Sequence, residues 1–132
     1  MKYLLDTHVW IWAMEDPQRL PHNIQRELFQ AGNLPIGLSV ISAWEVSKKE
    51  SIGKLKLSVP VRQWLASAIQ EPFIALQPLS VDIAHESNQL PGEFHRDPAD
   101  QIIVATARLH GLTLITADRR ILSYPRVLSM WA

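Results

Sequence analysis

Apolar residues in this chain fall into short unbroken runs that alternate with longer segments of helical periodicity. The first run, residues 2–5, stops at Asp6 and predicts a strand. Residues 9–14 predict a Trp-rich helix broken near Asp16-Pro17. Residues 21–31 predict an amphipathic helix in which Ile24, Leu28 and Phe29 keep helical spacing. A turn over 33–35 leads into a second buried strand over 36–40. Ser42, with Glu45 three residues later, has the spacing of a capping box and predicts a helix that runs to about Ser51 and ends at Gly53. Pro60 opens a helix carrying Val61, Trp64, Leu65 and Ala68, which Pro72 closes before a third short strand over 73–76. Ser80 caps a helix reaching about Gln89, and residues 90–96, with Pro91-Gly92, form a loop.

Asp97-Pro98 combines an N-cap acid with Pro at the first helical position. The helix it opens presents Ile102, Ile103, Ala105, Thr106 and Leu109 and ends at Gly111. Residues 112–116 form the clearest strand, Asp118 opens a short helical turn, and residues 127–130 supply a last strand. Strands alternating with helices along the whole length predict an α/β fold with a mainly parallel sheet covered on both faces.

Length and composition narrow the picture. At 132 residues the chain fits one domain, residues 1–132, which buries roughly two-thirds of its unfolded surface. The absence of Cys excludes a disulfide framework and any thiolate metal site. Asp6 interrupts the apolar core a signal peptide would need, and no apolar run approaches the ~20 residues of a membrane helix. The expectation is a soluble, cytoplasmic protein. Thirteen basic and thirteen acidic residues cancel, whereas nucleic-acid binders usually carry a basic surplus. Any phosphate contact therefore falls to local patches, Lys48, Lys49, Lys54, Lys56 and Arg62 or Arg119-Arg120, which read equally well as a solvated helix face and loop.

The acids are less scattered than the bases. Asp6 and Asp118 follow apolar strands, Asp97 and Asp100 lie in one helix's first turn, and Glu45 lies in the first turn of the helix after the second strand. In open α/β sheets ligands bind beyond the carboxyl ends of the strands, and one such crevice could collect all five side chains. Carboxylates so gathered repel one another, and a bound cation relieves that repulsion. All-oxygen ligation points to Mg²⁺ or Mn²⁺ rather than zinc, and such a cation suits phosphodiester hydrolysis. Each acid taken singly also has a structural reading. Asp97, Asp118 and the Ser42–Glu45 pair suit helix caps, and Asp100 suits the helix dipole. Asp6 has no evident capping role.

With those residues in view, the chain resembles the PIN-domain toxins of the VapC type. The likeness rests on Leu4-Leu5-Asp6-Thr7-His8-Val9-Trp10-Ile11-Trp12, on Ile41-Ser42-Ala43-Trp44-Glu45-Val46, and on Asp97-Pro98-Ala99-Asp100-Gln101-Ile102-Ile103-Val104-Ala105-Thr106-Ala107 continuing to Thr116-Ala117-Asp118. The resemblance implies a three-layer α/β/α sandwich around a short parallel sheet and Mg²⁺- or Mn²⁺-dependent cleavage of RNA. It implies Asp6, Glu45, Asp100 and Asp118 as the catalytic, metal-binding carboxylates, with Asp97 a fifth acid at the rim that joins the metal site through water. It further implies a homodimer and a cognate antitoxin whose tail enters the groove. Thr116 is expected to hydrogen-bond a carboxylate or a metal water. Gln101 departs from the Arg that many relatives carry after the third-motif Asp.

His8 and His95 flank acidic motifs and are candidates for proton transfer, while His22, His85 and His110 read as ordinary helix residues. Trp10, Trp12 and Trp44 are expected in the core, and an exposed one would mark a dimer or antitoxin surface. Other classes fit less well. An aspartate-based phosphatase wants a second Asp where His8 stands, a receiver needs a later Lys at a strand end, and a nucleotide-binding module needs a Gly-rich phosphate loop. A PIN fold kept as a non-catalytic binding module is the remaining alternative, and the intact acid set argues against it.

Overall fold

A computed structural model describes residues 1–70 and 73–132. Five strands pair in parallel throughout: β1 (Tyr3–Leu5), β2 (Ile36–Ser39), β3 (Ile74–Gln77), β4 (Thr113–Ile115) and β5 (Ser129–Met130). Their order in the sheet is β3-β2-β1-β4-β5. The chain thus winds outward from β1 on one side and returns to build on the other. The reversal puts a crevice between the carboxyl ends of β1 and β4, the place where open α/β sheets bind ligands.

Seven α-helices are found among the described residues: α1 (Thr7–Glu15), α2 (His22–Phe29), α3 (Val40–Ser51), α4 (Val61–Ala68), α5 (Val81–Glu86), α6 (Pro98–His110) and α7 (Arg119–Leu122). Alternation along β1 assigns them to two layers. Tyr3 and Leu5 pack in a core with Trp10, Ile24, Leu28, Val46 and Trp64. Leu4 packs on the opposite side with Ile103, Val104, Ala107, Leu114 and Ile121. This is the expected α/β/α sandwich. No helix among the described residues is long and apolar enough to cross a membrane.

Most expected boundaries are found, and the departures have physical causes. Gly111 ends α6 at φ 64°, the left-handed conformation that costs a residue without Cβ little. Ser42 is not the cap of α3. The backbone turns helical three residues earlier than the capping-box spacing suggests, and Ser39 takes the cap, its side chain accepting from the Ile41 N–H at 3.2 Å. Ser42 is thereby turned inward and fully buried, and Glu45 lies in the second turn of α3 rather than the first. Phe29 is 61 % exposed, because one residue beyond Leu28 rotates it about 100° off the buried stripe. Trp44 is likewise exposed rather than core, and Trp12 is half-buried. The helix capped by Ser80 stops at Glu86, short of Gln89. The expectation that Pro72 closes α4 lies outside the described residues.

Trp10 joins α1 to α4 by an edge-on contact with Trp64, ring centroids 4.8 Å apart, and by a hydrogen bond. Trp10 is wholly buried, and its indole Nε1–H donates to the carbonyl of Ala68 at 2.9 Å. Ala68 is the last residue of α4, where carbonyls lack intrahelical partners. Trp10→Phe should therefore leave a buried acceptor unpaired and cost about 1–3 kcal/mol in urea unfolding, with an unchanged slope. A loss below about 0.5 kcal/mol would contradict that role.

Candidate active site

Three of the crevice acids are placed by helix starts. Asp6 follows β1, and contrary to expectation it is an N-cap, its Oδ1 accepting from the Thr7 N–H at 2.8 Å. Asp118 caps α7, its Oδ1 accepting from the Arg120 N–H at 2.8 Å. Asp97 caps α6 and accepts from the Asp100 N–H at 3.1 Å, so its carboxylate is committed to the helix end. Asp100 itself sits one turn into α6 and is 9 % exposed. A helix N-terminus favours negative charge, which suits carboxylates placed at these starts.

Hydroxyl groups fix the carboxylates. Thr116, fully buried, donates to Asp6 Oδ2 at 2.7 Å, a carboxylate bond of the kind the resemblance implied, and accepts from the Asp118 N–H at 3.0 Å. Thr7 donates to Glu45 Oε1 at 2.5 Å and lies 2.8 Å from Ser42 Oγ. Its single proton goes to the carboxylate, so the Ser42 hydroxyl donates to Thr7. Sequence reasoning gave neither residue a site role, because Ser42 carries the spacing of a cap and Thr7 stands within the first motif beside the more conspicuous Asp6.

The two histidines differ in what they touch. His8 Nε2 accepts from the Ala117 N–H at 2.9 Å, so the ring proton sits on Nδ1, 3.6 Å from Asp6 Oδ2. Burial lowers its pKa, against the pull of Asp6 and Asp118, and it packs edge-on against Trp12. His95 Nε2 lies 2.6 Å from Asp100 Oδ2, and its Nδ1 is buried without a partner. An unpaired lone pair is easier to bury than an unpaired N–H, so Nε2 carries the proton and donates to Asp100.

Arg120 completes the site. Its guanidinium spans Asp118, with Nη2 3.0 Å from Oδ2 and Nε 3.3 Å from Oδ1, and Nη2 also lies 3.7 Å from Asp100 Oδ2. The electrostatics follow from these contacts. Burial raises the pKa of Asp100, the His95 hydrogen bond opposes it, and the charges of Asp6 and Asp97 add to the rise. Burial also raises Glu45, against the Thr7 hydrogen bond and Lys49, with Asp100 and Asp6 adding to it. Burial disfavours the Asp118 anion as well, but hydrogen bonds from Arg120 outweigh it and lower the pKa.

The expected acids are therefore close enough to act on one another. Among the described residues, His95, Asp100 and Asp118 offer ligand atoms within 4.8 Å of one another, and Asp6 and Glu45 supply further charge beside them. Oxygen donors dominate the set, and a guanidinium already stands as a cation between two of them. Such a donor set fits a hard divalent cation.

Fold and site together define an α/β protein with an acidic crevice at its topological switch point. The PIN domain profile matches residues 3–127, and the chain belongs to that family. It is similar to Ribonuclease VapC22 of Mycobacterium tuberculosis, 33% identical over 130 residues that cover 97% of each chain. Solved structures share the fold. One, of VapBC2 from Rickettsia felis bound to a promoter DNA fragment, matches with a TM-score of 0.72 at 20% identity over 100% of both chains. Another, of DNA-bound VapBC from Salmonella typhimurium, has a TM-score of 0.72 at 22% identity over 98% of this chain and 97% of that one.

The Thr116 hydroxyl bonds the Asp6 carboxylate and the Asp118 backbone N–H at once, so Thr116→Val keeps the side-chain shape and removes both hydrogen bonds. The expected cost is about 1–3 kcal/mol in denaturant unfolding. An unchanged midpoint would show that Thr116 does not hold Asp6 and Asp118 in place.

Proposed function

We propose that this chain is a Mg²⁺- or Mn²⁺-dependent endoribonuclease and the toxin of a toxin–antitoxin pair. The observation that carries the reading is the crowding of Asp6, Glu45, Asp100 and Asp118 at one switch-point crevice, with Glu45 and Asp100 held above the ordinary carboxylate range largely by burial. Asp6, Glu45, Asp100 and Asp118 hold the cation, and Asp97 adds charge from the rim. A bound divalent cation supplies an activated water and shields charge building on a phosphodiester.

The remaining residues orient these groups. Thr116 and Thr7 each occupy one carboxylate oxygen, of Asp6 and Glu45, and so fix where the other oxygens face. His95 does the same for Asp100 Oδ2. His8, neutral and tied to the Ala117 N–H, packs beside Asp6 as a spacer. Lys48, Lys54, Lys56 and Arg62 are exposed and offer the cations that a neutral chain must concentrate locally to bind RNA.

Support for the substrate class comes from the relative named a ribonuclease, and support for the partner from neighbours solved as VapBC complexes. The protein acts in the cytoplasm as one domain over 1–132 and pairs with a second copy and a cognate antitoxin. Trp44, 58 % exposed on α3 beside Glu45, offers an aromatic surface for such a contact.

The test is incubation of the purified protein with labelled structured RNAs in Mg²⁺, Mn²⁺ or EDTA, beside Asp100→Asn. Cleavage should require the metal. Because changes even to residues behind metal ligands cost about 10–100-fold, Asp100→Asn should lose at least about a hundredfold while its circular dichroism stays that of wild type. Undiminished turnover by Asp100→Asn would sink the assignment. A folded protein that binds no divalent cation would favour a non-catalytic binding module.

A further inference from the structure

Arg120 is the one residue of the site whose position conflicts with the use proposed for it. Its guanidinium stands where the positive charge of a divalent cation would act, bidentate on Asp118 and 3.7 Å from Asp100. Two positive charges cannot share that place without repulsion. The Arg120 side chain is 61% exposed, so water screens its pairing, and a dication facing several carboxylates competes for the same oxygens. Arg120 also lines an open hollow of about 720 Å³ together with His95, Arg96, Ser123 and Tyr124. Released from Asp118, the guanidinium has this hollow beside it, with a second arginine on its wall. A planar guanidinium fork matches phosphate oxygens bidentately.

We propose that Arg120 is a substrate-phosphate ligand of this site, held in reserve across Asp118 and Asp100 until a divalent cation takes its place. The proposal rests on the metal-dependent reading above and adds an exchange to it. With a cation held by the carboxylates, Arg120 would be free to bind a phosphate of the incoming strand, and the two binding events would reinforce each other through this one side chain.

Two calorimetric titrations test this on wild type, Arg120→Gln and Arg120→Lys. The first adds Mn²⁺ alone. The second adds adenosine 5′-monophosphate to Mg²⁺-saturated protein, a probe that carries a phosphate and has no internucleotide bond to cut. The two affinities should move in opposite directions. Arg120→Gln loses the resident cation and should bind Mn²⁺ roughly three- to tenfold more tightly. It should bind the nucleotide roughly three- to tenfold more weakly. Arg120→Lys keeps the charge and loses the fork, so its Mn²⁺ affinity should stay within about twofold of wild type with nucleotide binding intermediate.

Unchanged or weakened Mn²⁺ binding in Arg120→Gln overturns the proposal, and so does unchanged nucleotide binding. If wild type binds Mn²⁺ and Asp100→Asn does not, such a failure belongs to Arg120 alone and the metal-dependent reading stands. Absence of Mn²⁺ binding in both wild type and Arg120→Gln overturns both.

Discussion

The structure is organised around negative charge gathered where water is scarce. β1 and β4 pair side by side at the switch point, and Asp6, Asp100 and Asp118 gather beyond their carboxyl ends, with Glu45 reaching the group from α3. Every neighbouring group answers to this crowding. Hydroxyls of Thr7 and Thr116 donate to carboxylate oxygens, His95 donates to Asp100, and Arg120 lays its charge across Asp118 and toward Asp100. Without such partners, the buried anions would be neutralised by protonation.

Capping and ligation, opposed as readings of the sequence, coexist in the fold. Asp6 and Asp118 each use one carboxylate oxygen on a helix start and turn the other toward the crevice or its immediate partners. Asp97 is the exception, spending its Oδ1 on the Asp100 N–H and acting on the site through its charge. Tying ligands to helix starts fixes them relative to the sheet core, because α1 and α6 are anchored by Trp10, Ile103 and Val104, all without exposed surface. Rigid placement of this kind is what positional precision at a reactive centre demands.

Much of this was legible in the sequence, for identifiable reasons. Acids that terminate apolar runs or open helices have predictable places once strands and helices alternate, so Asp6, Asp97, Asp100 and Asp118 all lie where expected. Asp97-Pro98 and Gly111 mark α6 because Pro and Gly constrain φ directly. What failed was whatever depended on helix register or on how a loop or cap residue turns its side chain back onto the site. The Ser42–Glu45 spacing mimics a capping box, yet Ser39 starts the helix, and only tertiary packing tells the two serines apart. His95 lies in a loop without periodicity, so nothing local ties it to Asp100. Arg120 is two residues from Asp118, a spacing that does not face across a helix, and the pair forms because Asp118 is the cap and lies outside the helix proper.

The central claim is that this charge is arranged for a divalent cation, and anomalous diffraction from crystals grown in Mn²⁺ tests it most directly. The account predicts a strong anomalous peak within coordination distance of the Asp100 and Asp118 carboxylates, on the side facing Asp6 and Glu45, with Arg120 moved off Asp118. Crystals saturated with Mn²⁺ that give no peak there, with Arg120 still spanning Asp118, would contradict it.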